Sequence, residues 1–478
     1  MITISFKTNK EDFLNDYMDI IRAFYPHVIF DDNSDKVIIL NVIEFSDHKK
    51  LDLEISNPFE NNNIYKKSIN LEEFKTIYGY KSQIKRHSKI VLYDLLSELT
   101  NTKLPYGALT GIRPTKLFHE KLITMGYNDA KKYFSDVLRV SKEKTDLLEM
   151  IVKNQEGIYN HNDNEVDVFV NIPICLTRCS YCSFISAELN RVKKLVEPYT
   201  NLLLKEIEKT KEIITKNNYE VRSVYVGGGT PTSIDDDNFS KIVMALDFNC
   251  NEYTVEAGRP DTITFEKLKA MKKANVTRIS INPQTFSQKT LDLIGRKHTI
   301  EDIYVKYKMA REFGFDINMD LIAMLPNETL DDFKISVDKT IELQPENITV
   351  HTLALKRGSI LMEKSHDNTQ ADMANDMVNY AMEKIIESGY EPYYMYKQKH
   401  ASGNLENVGY CKKGKACIYN VDIMEETNTI IANGAGAISK KLDNSNNSLE
   451  RLANPKAIDI YIQRDSEILN NKEIFFKL

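Results

Sequence analysis

The chain has 478 residues, 42% hydrophobic and 28% charged, with 63 Lys+Arg against 69 Asp+Glu for a net charge of −6. At about 150 residues per domain this suggests roughly three domains, each able to build a core without disulfide or metal staples. The charge balance argues against nucleic acid as the main partner, and no run of about 18 apolar residues marks a membrane span. The opening stretch MITISFKTNKEDF has acids in its first turns and no apolar core, so no signal peptide is expected and the cytoplasm is the expected location.

Residues 1–80 read as a small α/β domain. β-branched runs occupy 2–6, 28–30 and 37–42, an alternating run covers 51–55, and a helical pattern spans 13–24. Residues 81–160 read as a helical connecting region. Apolar spacings of three and four over 90–99 and 142–152 flank the loop LPYGALTGIRPTK (104–116), which Pro105, Gly107, Gly111 and Pro114 break. The Asn/Asp/Gly-rich stretch NQEGIYNHNDNE (154–165) marks a boundary.

A different rhythm follows over 161–370. Strand-like runs at 166–172, 221–226, 253–257, 276–281, 317–322 and 348–353 alternate with helical patterns at 193–216, 237–246, 264–273, 300–312 and 330–343. Such alternation predicts βαβ units and a parallel sheet: an α/β fold, a barrel or an open part-barrel of six repeats, with its chemistry at the C-terminal strand ends. The last region, 371–478, opens with a helical pattern over 373–388. The aromatic run YEPYYMYKQKH (390–400), the glycine-containing IIANGAGAISK (430–440) and a helical tail follow.

Cysteine placement is the sharpest signal. Six cysteines are too few for a disulfide scaffold, yet Cys175, Cys179 and Cys182 lie within eight residues in NIPICLTRCSYCSF, directly after the first strand of the repeat region. Three thiolates spaced C-x3-C-x2-C can hold three irons of a cubane cluster and leave the fourth open to a small molecule. A closed zinc site needs four ligands, and no further Cys or His occurs in the next dozen residues. Cys411 and Cys417 read as free thiols rather than a second metal site, and Cys250 as a buried, inert one.

The triplet, with Tyr181 before its last cysteine, resembles the C-x3-C-x-aromatic-C hallmark of radical S-adenosylmethionine (SAM) enzymes. That resemblance implies a partial (β/α)6 TIM-like barrel, a [4Fe–4S] cluster and SAM. Further segments sit at strand ends: VYVGGGTPT (224–232), TVEAGRPD (254–261), RISINPQTF (278–286), GRKH (295–298) and MDLIAMLP (319–326). Taken singly, a glycine triplet reads as a tight turn and Glu256 as a solvated or ion-paired strand-end acid. Together the set is similar to the oxygen-independent coproporphyrinogen III oxidase group, which also contains haem chaperones. LTGIRPTK (109–116) and GNLENVGY (403–410) resemble its longer coproporphyrinogen dehydrogenase (HemZ-type) branch.

What the resemblance implies is specific. Two propionates of coproporphyrinogen III would be oxidatively decarboxylated to vinyl groups, giving protoporphyrinogen IX without oxygen. Cys175, Cys179 and Cys182 would hold the cluster. Tyr181, Gly228, Gly229, Thr230, Glu256, Gln284, Arg296, Asp320 and Ile438 would contact SAM, of which two molecules would bind. Partners would be a tetrapyrrole substrate and a one-electron reductant such as flavodoxin or ferredoxin, with no nucleic acid and no membrane. Two departures stand out: the oxidases have Tyr and His where this chain has Phe169 and Asn171, and a further Cys where it has Phe184, a feature shared with the chaperones. A haem-binding chaperone and a radical enzyme acting on another tetrapyrrole are therefore the competing readings.

Cationic anchors and aromatic walls suit a macrocycle with four carboxylates. The segment Tyr390, Tyr393, Tyr394, Tyr396, Lys397 and Lys399 offers both, although an aromatic packing face on a strand is the simpler reading. Arg113 with Lys116, and Lys356 with Arg357, are further candidates, while His298 and His351 are candidates to face cofactor and substrate.

Overall fold

A computed structural model describes residues 2–46, 48–56, 64–71, 77–184, 186–356, 358–363, 370–399, 401–443 and 448–477. The chain divides into two compact units, residues 1–149 with 403–405, and residues 150–402 with 406–478.

In the first unit, strands β1 (Thr3–Thr8), β2 (Ile29–Phe30), β3 (Val37–Glu44), β4 (Lys50–Ser56) and β5 (Ile64–Asn70) form one sheet in the order β2-β1-β3-β4-β5. β1 runs parallel to both neighbours, and β3, β4 and β5 form an antiparallel meander. Period-two alternation buries Ile38, Leu40 and Val42 of β3 and Leu51, Leu53 and Ile55 of β4. Helix α1 (Leu14–Phe24), between β1 and β2, buries Tyr17, Ile20 and Ile21. β5 had no apolar signature because none of its residues is buried.

Helix α2 (Ile77–Thr100) is already formed at Ile77, ahead of the expected stretch. Helix α3 (Pro114–Met125) begins inside the stretch expected to be loop, because proline at the first helical position lacks only an N–H the helix would leave unpaired anyway. The first part of the preceding loop is packed, with Tyr106 fully buried, whereas Ile112 is exposed. Gly107 holds φ +52°, and a Cβ there would lie 2.2 Å from the Leu138 carbonyl oxygen. Helices α4 (Tyr127–Lys132) and α5 (Lys142–Asn154) complete the region.

The second unit opens with β6 (Glu165–Ile172), β7 (Ile174–Cys175), β8 (Ala187–Glu188), α6 (Leu189–Val192) and α7 (Val196–Asn217). β9 (Glu220–Gly228), α8 (Asp236–Ala245), β10 (Glu252–Val255), α9 (Phe265–Lys273) and β11 (Arg278–Ser280) follow. Next come α10 (Gln288–Leu293), α11 (Ile300–Glu312), β12 (Asp316–Ala323), α12 (Leu330–Leu343) and β13 (Asn347–Thr352). The chain ends with α13 (Ile360–Glu363), α14 (Ala371–Glu387), β14 (Glu391–Lys397), β15 (Glu406–Cys411), α15 (Ile418–Glu425), β16 (Thr429–Asn433), β17 (Ile438–Asp443), β18 (Ser448–Ala453), α16 (Ile458–Gln463) and α17 (Asp465–Phe476).

The six strands β6, β9, β10, β11, β12 and β13 lie side by side and parallel, the expected part-barrel. The C-terminal strands extend both edges. β16 adds in parallel to β6 and carries the antiparallel β17 and β18, while β15 and β14 add antiparallel beyond β13. The result is an 11-stranded sheet with β14 and β18 at its ends.

One face packs Val168, Val170, Val224, Val226, Val255 and Ile279 against helix residues such as Leu203, Phe239 and Ile303. The other face carries Phe169 and Tyr225, which pack with Tyr393, Tyr394, Tyr419 and Ile430. Five helices are started by side-chain caps in the loops that precede them: Asp235, Thr264, Ser287, Thr299 and Thr329, the last two as capping boxes with Asp302 and Asp332.

Candidate cofactor site

The cysteine loop leaves β6 at the C-terminal end of the parallel strands and is tied down on several sides. The Ile174 carbonyl accepts from the Thr230 amide and from Ser233 Oγ, both at 2.8 Å, and the Gly229 amide donates to the Ile172 carbonyl at 2.9 Å. Arg259, almost fully buried, donates through Nη1 to Thr177 Oγ1 at 2.7 Å and its carbonyl at 3.2 Å; its other edge grips Asp261 at 3.0 and 2.7 Å. Thr177 Oγ1 donates to the Gly295 carbonyl at 3.2 Å, the Ser180 amide to Ile294 at 3.0 Å, and the Leu361 amide to Ser180 at 3.0 Å. Three segments, at Arg259, Ile294–Gly295 and Leu361, therefore fix the backbone between the cysteines, and the glycine turn fixes the residue just before the first.

The three cysteines lie near enough to influence one another electrostatically. Burial raises the Cys175 thiol, and Cys179 adds to the effect; burial lifts Cys182 to about 11, with Cys179 and Cys175 adding. Among the described residues no three Cys, His, Asp or Glu side chains converge closely enough to hold a single metal ion. A single ion would draw its sulfurs to within twice a bond of ~2.3 Å. A cubane seats each thiolate on a different iron and keeps them further apart.

Next to this loop lies the glycine turn that ends β9. A Cβ on Gly229 would sit 2.9 Å from Cys175 Sγ and 2.7 Å from the Ile174 carbonyl, so only glycine allows this approach. Gly228 has φ +111°, and a Cβ there would meet Asn171 Oδ1 at 2.0 Å. The amides of Gly228, Gly229 and Thr230 all donate within the protein, to Glu256, Ile172 and Ile174. What the turn has left to offer a ligand is carbonyl oxygen.

The remaining expected residues surround the same strand ends. Glu256 follows β10 and accepts from Tyr225 hydroxyl at 2.6 Å. Burial, with Asp320 beside it, pushes its pKa up to about 7 against the hydrogen bonds from Tyr225 and Gly228. Burial also works against the Asp320 charge, but His351 and hydrogen bonds from Asn318 and Thr349 outweigh it and hold that carboxyl below its ordinary range. His351 Nε2 stands 3.6 Å from Asp320 Oδ2, an ion-pair distance, and its Nδ1 is 3.3 Å from Tyr396 hydroxyl.

Gln284 sits at φ +66° with its amide bonded to the Asp320 carbonyl at 2.9 Å; its buried Oε1 has no partner among the described residues. Arg296 donates Nη1 to the Asn282 carbonyl at 2.5 Å and leaves a buried Nε unpartnered. Burial opposes the Arg296 charge, yet the neighbouring Tyr181 and Cys179 outweigh it and raise its pKa. Tyr181 thus lies with Arg296 beside the cysteines. Ile438 opens β17 and is exposed, after a turn in which Asn171 Nδ2 donates to the Ala435 carbonyl at 2.5 Å.

Other expectations resolve differently. His298 is fully buried with both ring nitrogens unpartnered among the described residues, and burial, with Arg296 beside it, lowers its pKa to about 4. Lys397 is buried too, and Tyr393 and Tyr394 form the packing face of β14, so this run is a core strand. Lys356 is half-buried after β13 with its ammonium pKa lowered by burial, while Arg357 and His400 lie outside the described residues. Cys411 and Cys417 are free and buried, whereas Cys250 is only half-buried. Arg113 directly precedes α3 in the first unit. Arg259, Asn171 and Tyr225 were missed, since each acts through a neighbour in space that no local pattern reveals.

Residues 171–339 match the Radical SAM superfamily. The oxygen-independent coproporphyrinogen-III oxidase-like protein HemZ of Bacillus subtilis (strain 168) is 40% identical over 414 residues, covering 83% of this chain and 82% of that protein. The chain belongs to the HemZ-type radical SAM family. The haem chaperone HemW of the same organism is 32% identical over 237 residues, covering 47% of this chain and 61% of that protein. Coproporphyrinogen III oxidase HemN of Escherichia coli, a radical SAM enzyme, shares the fold with a TM-score of 0.52 and 20% identity over 66% of this chain and 73% of its own.

HemZ-type proteins, as radical SAM proteins, use a [4Fe–4S] cluster and SAM. The residues present fit both. Burial works against the charged form of the Cys175 and Cys182 thiols, and a cationic centre would favour their thiolates. The acceptor-rich glycine turn suits an ammonium group, and the unpartnered Gln284 Oε1 and Arg296 Nε are buried polar atoms whose desolvation a ligand would offset. No helix among the described residues is long and apolar enough to cross a membrane.

Proposed function

We propose that this HemZ-type protein is an oxygen-independent coproporphyrinogen III dehydrogenase of haem biosynthesis. The observation that carries the reading is the 40% identity to a coproporphyrinogen-III oxidase-like protein over 83% of the chain. When bound, the cluster and SAM would supply a 5′-deoxyadenosyl radical able to take a hydrogen atom from a propionate β-carbon. Each propionate radical would then release carbon dioxide and pass one electron to an external one-electron acceptor, leaving a vinyl group. The chain's own residues bind and orient. Cys175, Cys179 and Cys182 hold the cluster, Gly228, Gly229 and Thr230 receive the methionyl ammonium, and Glu256 faces ribose hydroxyls. Tyr181, Gln284, Arg296, Asp320 and Ile438 complete the walls, the set being divided between two cofactor molecules. A one-electron reductant such as flavodoxin or ferredoxin serves the cluster, and the cytoplasm is the proposed location.

The haem-chaperone reading has one feature in its favour: the oxidases' additional Cys is absent here, with Phe184 in its place. Against it, His351 has both ring nitrogens facing protein groups, so this imidazole is not presented to a haem iron. Anaerobic incubation of the reconstituted protein with coproporphyrinogen III, SAM and a reductant decides. Two vinyl groups per macrocycle support the dehydrogenase. Stoichiometric haem binding without turnover supports the chaperone, and a methylated or ring-opened product a different tetrapyrrole enzyme.

A further inference from the structure

Glu256 does not set its own direction. Its Oε1 accepts the Tyr225 hydroxyl at 2.6 Å, and the Gly228 amide also points at the carboxylate. A Cβ on Gly227 would lie 2.8 Å from Oε2, so the second oxygen is aimed along the glycine turn. Tyr225 is itself held, because its ring stacks on Tyr419 of α15 with centroids 4.4 Å apart and planes at 21°. Tyr419 also stacks on Phe169, at 5.9 Å and 13°. In the sheet register Phe169 is directly beside Tyr225.

We infer that Tyr225 is a positioning residue: braced by Tyr419, it holds the Glu256 carboxylate so that its other oxygen meets a hydroxyl-bearing part of SAM. The inference rests on the proposed cofactor site. A phenol donating to a carboxylate favours the charged form, so losing it moves Glu256 toward protonation at a given pH. The other groups facing Glu256 are Asp320 from β12, His351 from β13, Tyr396 from β14 and Tyr419 from α15. All of them stay in place when only the Tyr225 oxygen is removed.

The test is SAM binding by equilibrium dialysis to oxidised, cluster-loaded protein, which does not turn over, from pH 6 to 9. Tyr225→Phe keeps the ring and its stacking. It should weaken binding about tenfold at pH 7 and move the acid limb of the binding profile to higher pH. Iron content and thermal midpoint should match wild type. Tyr419→Leu, which removes the brace but not the phenol, should weaken binding in the same direction by a smaller factor. Wild-type affinity and an unshifted profile in Tyr225→Phe would overturn the positioning role while leaving the cofactor reading intact. Failure of the wild-type protein to bind SAM would overturn both.

Discussion

The two ends of the parallel strands use the same residue types in opposite ways. At the N-terminal end every buried guanidinium is answered. Arg278 donates Nε to Asn347 at 2.9 Å, Nη1 to Glu252, and Nη2 to the Lys415 carbonyl at 2.8 Å. Arg222 reaches Asp422 at 2.8 Å and Glu165 at 3.1 Å, and Cys417 donates its thiol proton to Glu252 at 3.0 Å. A 580 Å³ cleft opens there, yet Arg278, Glu252, Asp316 and Lys415 on its wall are already paired. At the C-terminal end Arg296 Nε, Gln284 Oε1 and Glu328 Oε2 are buried without partners among the described residues. Asp167 Oδ2 and the Asn428 amide are unpartnered at the N-terminal end too, so what marks the C-terminal end is the incompletely answered Arg296 guanidinium beside the cysteine loop, whose burial a ligand would offset.

The comparison can be broken experimentally. The largest effect belongs to the cysteine loop: Cys179→Ala should remove cluster iron and all 5′-deoxyadenosine formation, read by iron analysis and chromatography. Retention of full cleavage would remove the C-terminal end's claim to the cluster.

At the opposite end Arg278→Met strands Glu252 and should cost about 3–5 kcal/mol in urea unfolding, with iron per folded molecule unchanged. Adding Glu252→Gln should restore most of the loss. A large drop in cofactor binding instead would mean that the two ends are not separate in role.

The smallest effect is pH-dependent. Burial lifts the Glu328 carboxyl to about 7 in spite of a hydrogen bond from Thr285. A raised carboxyl stabilises the fold least where the unfolded chain is ionised, so its cost grows as pH rises from about 4.5 through 7. Glu328→Gln should therefore gain about 1–3 kcal/mol at pH 8 and little at pH 4. Equal gains at both would show that ionisation is not the cause.

What the sequence made readable follows the same division. β6, β9, β12 and β13 stood out because each is rich in apolar or β-branched residues over a strand's length and alternates with helical patterns, even though Asp167, Arg222, Asp320 and His351 interrupt them. The cysteine spacing and the glycine triplet were legible because few structures need them. β15 was not: its buried residues include Glu406, Asn407 and Gly409, the last with no room for a Cβ beneath the Tyr394 ring. α15 was missed because it is short and buries Tyr419, Val421, Asp422 and Glu425 without a clear polar face. Arg259 and Tyr225 gain their meaning only when the Thr177 turn and the Glu256 carboxylate are brought beside them, and that adjacency is set by sheet register, not by local pattern.

The lashing of residues 177–180 to Arg259, Ile294, Gly295 and Leu361 means that the path of this backbone does not rest on metal ligation alone. A change at Arg259, which touches none of the three thiols' own residues, would reach the cysteine loop through Thr177.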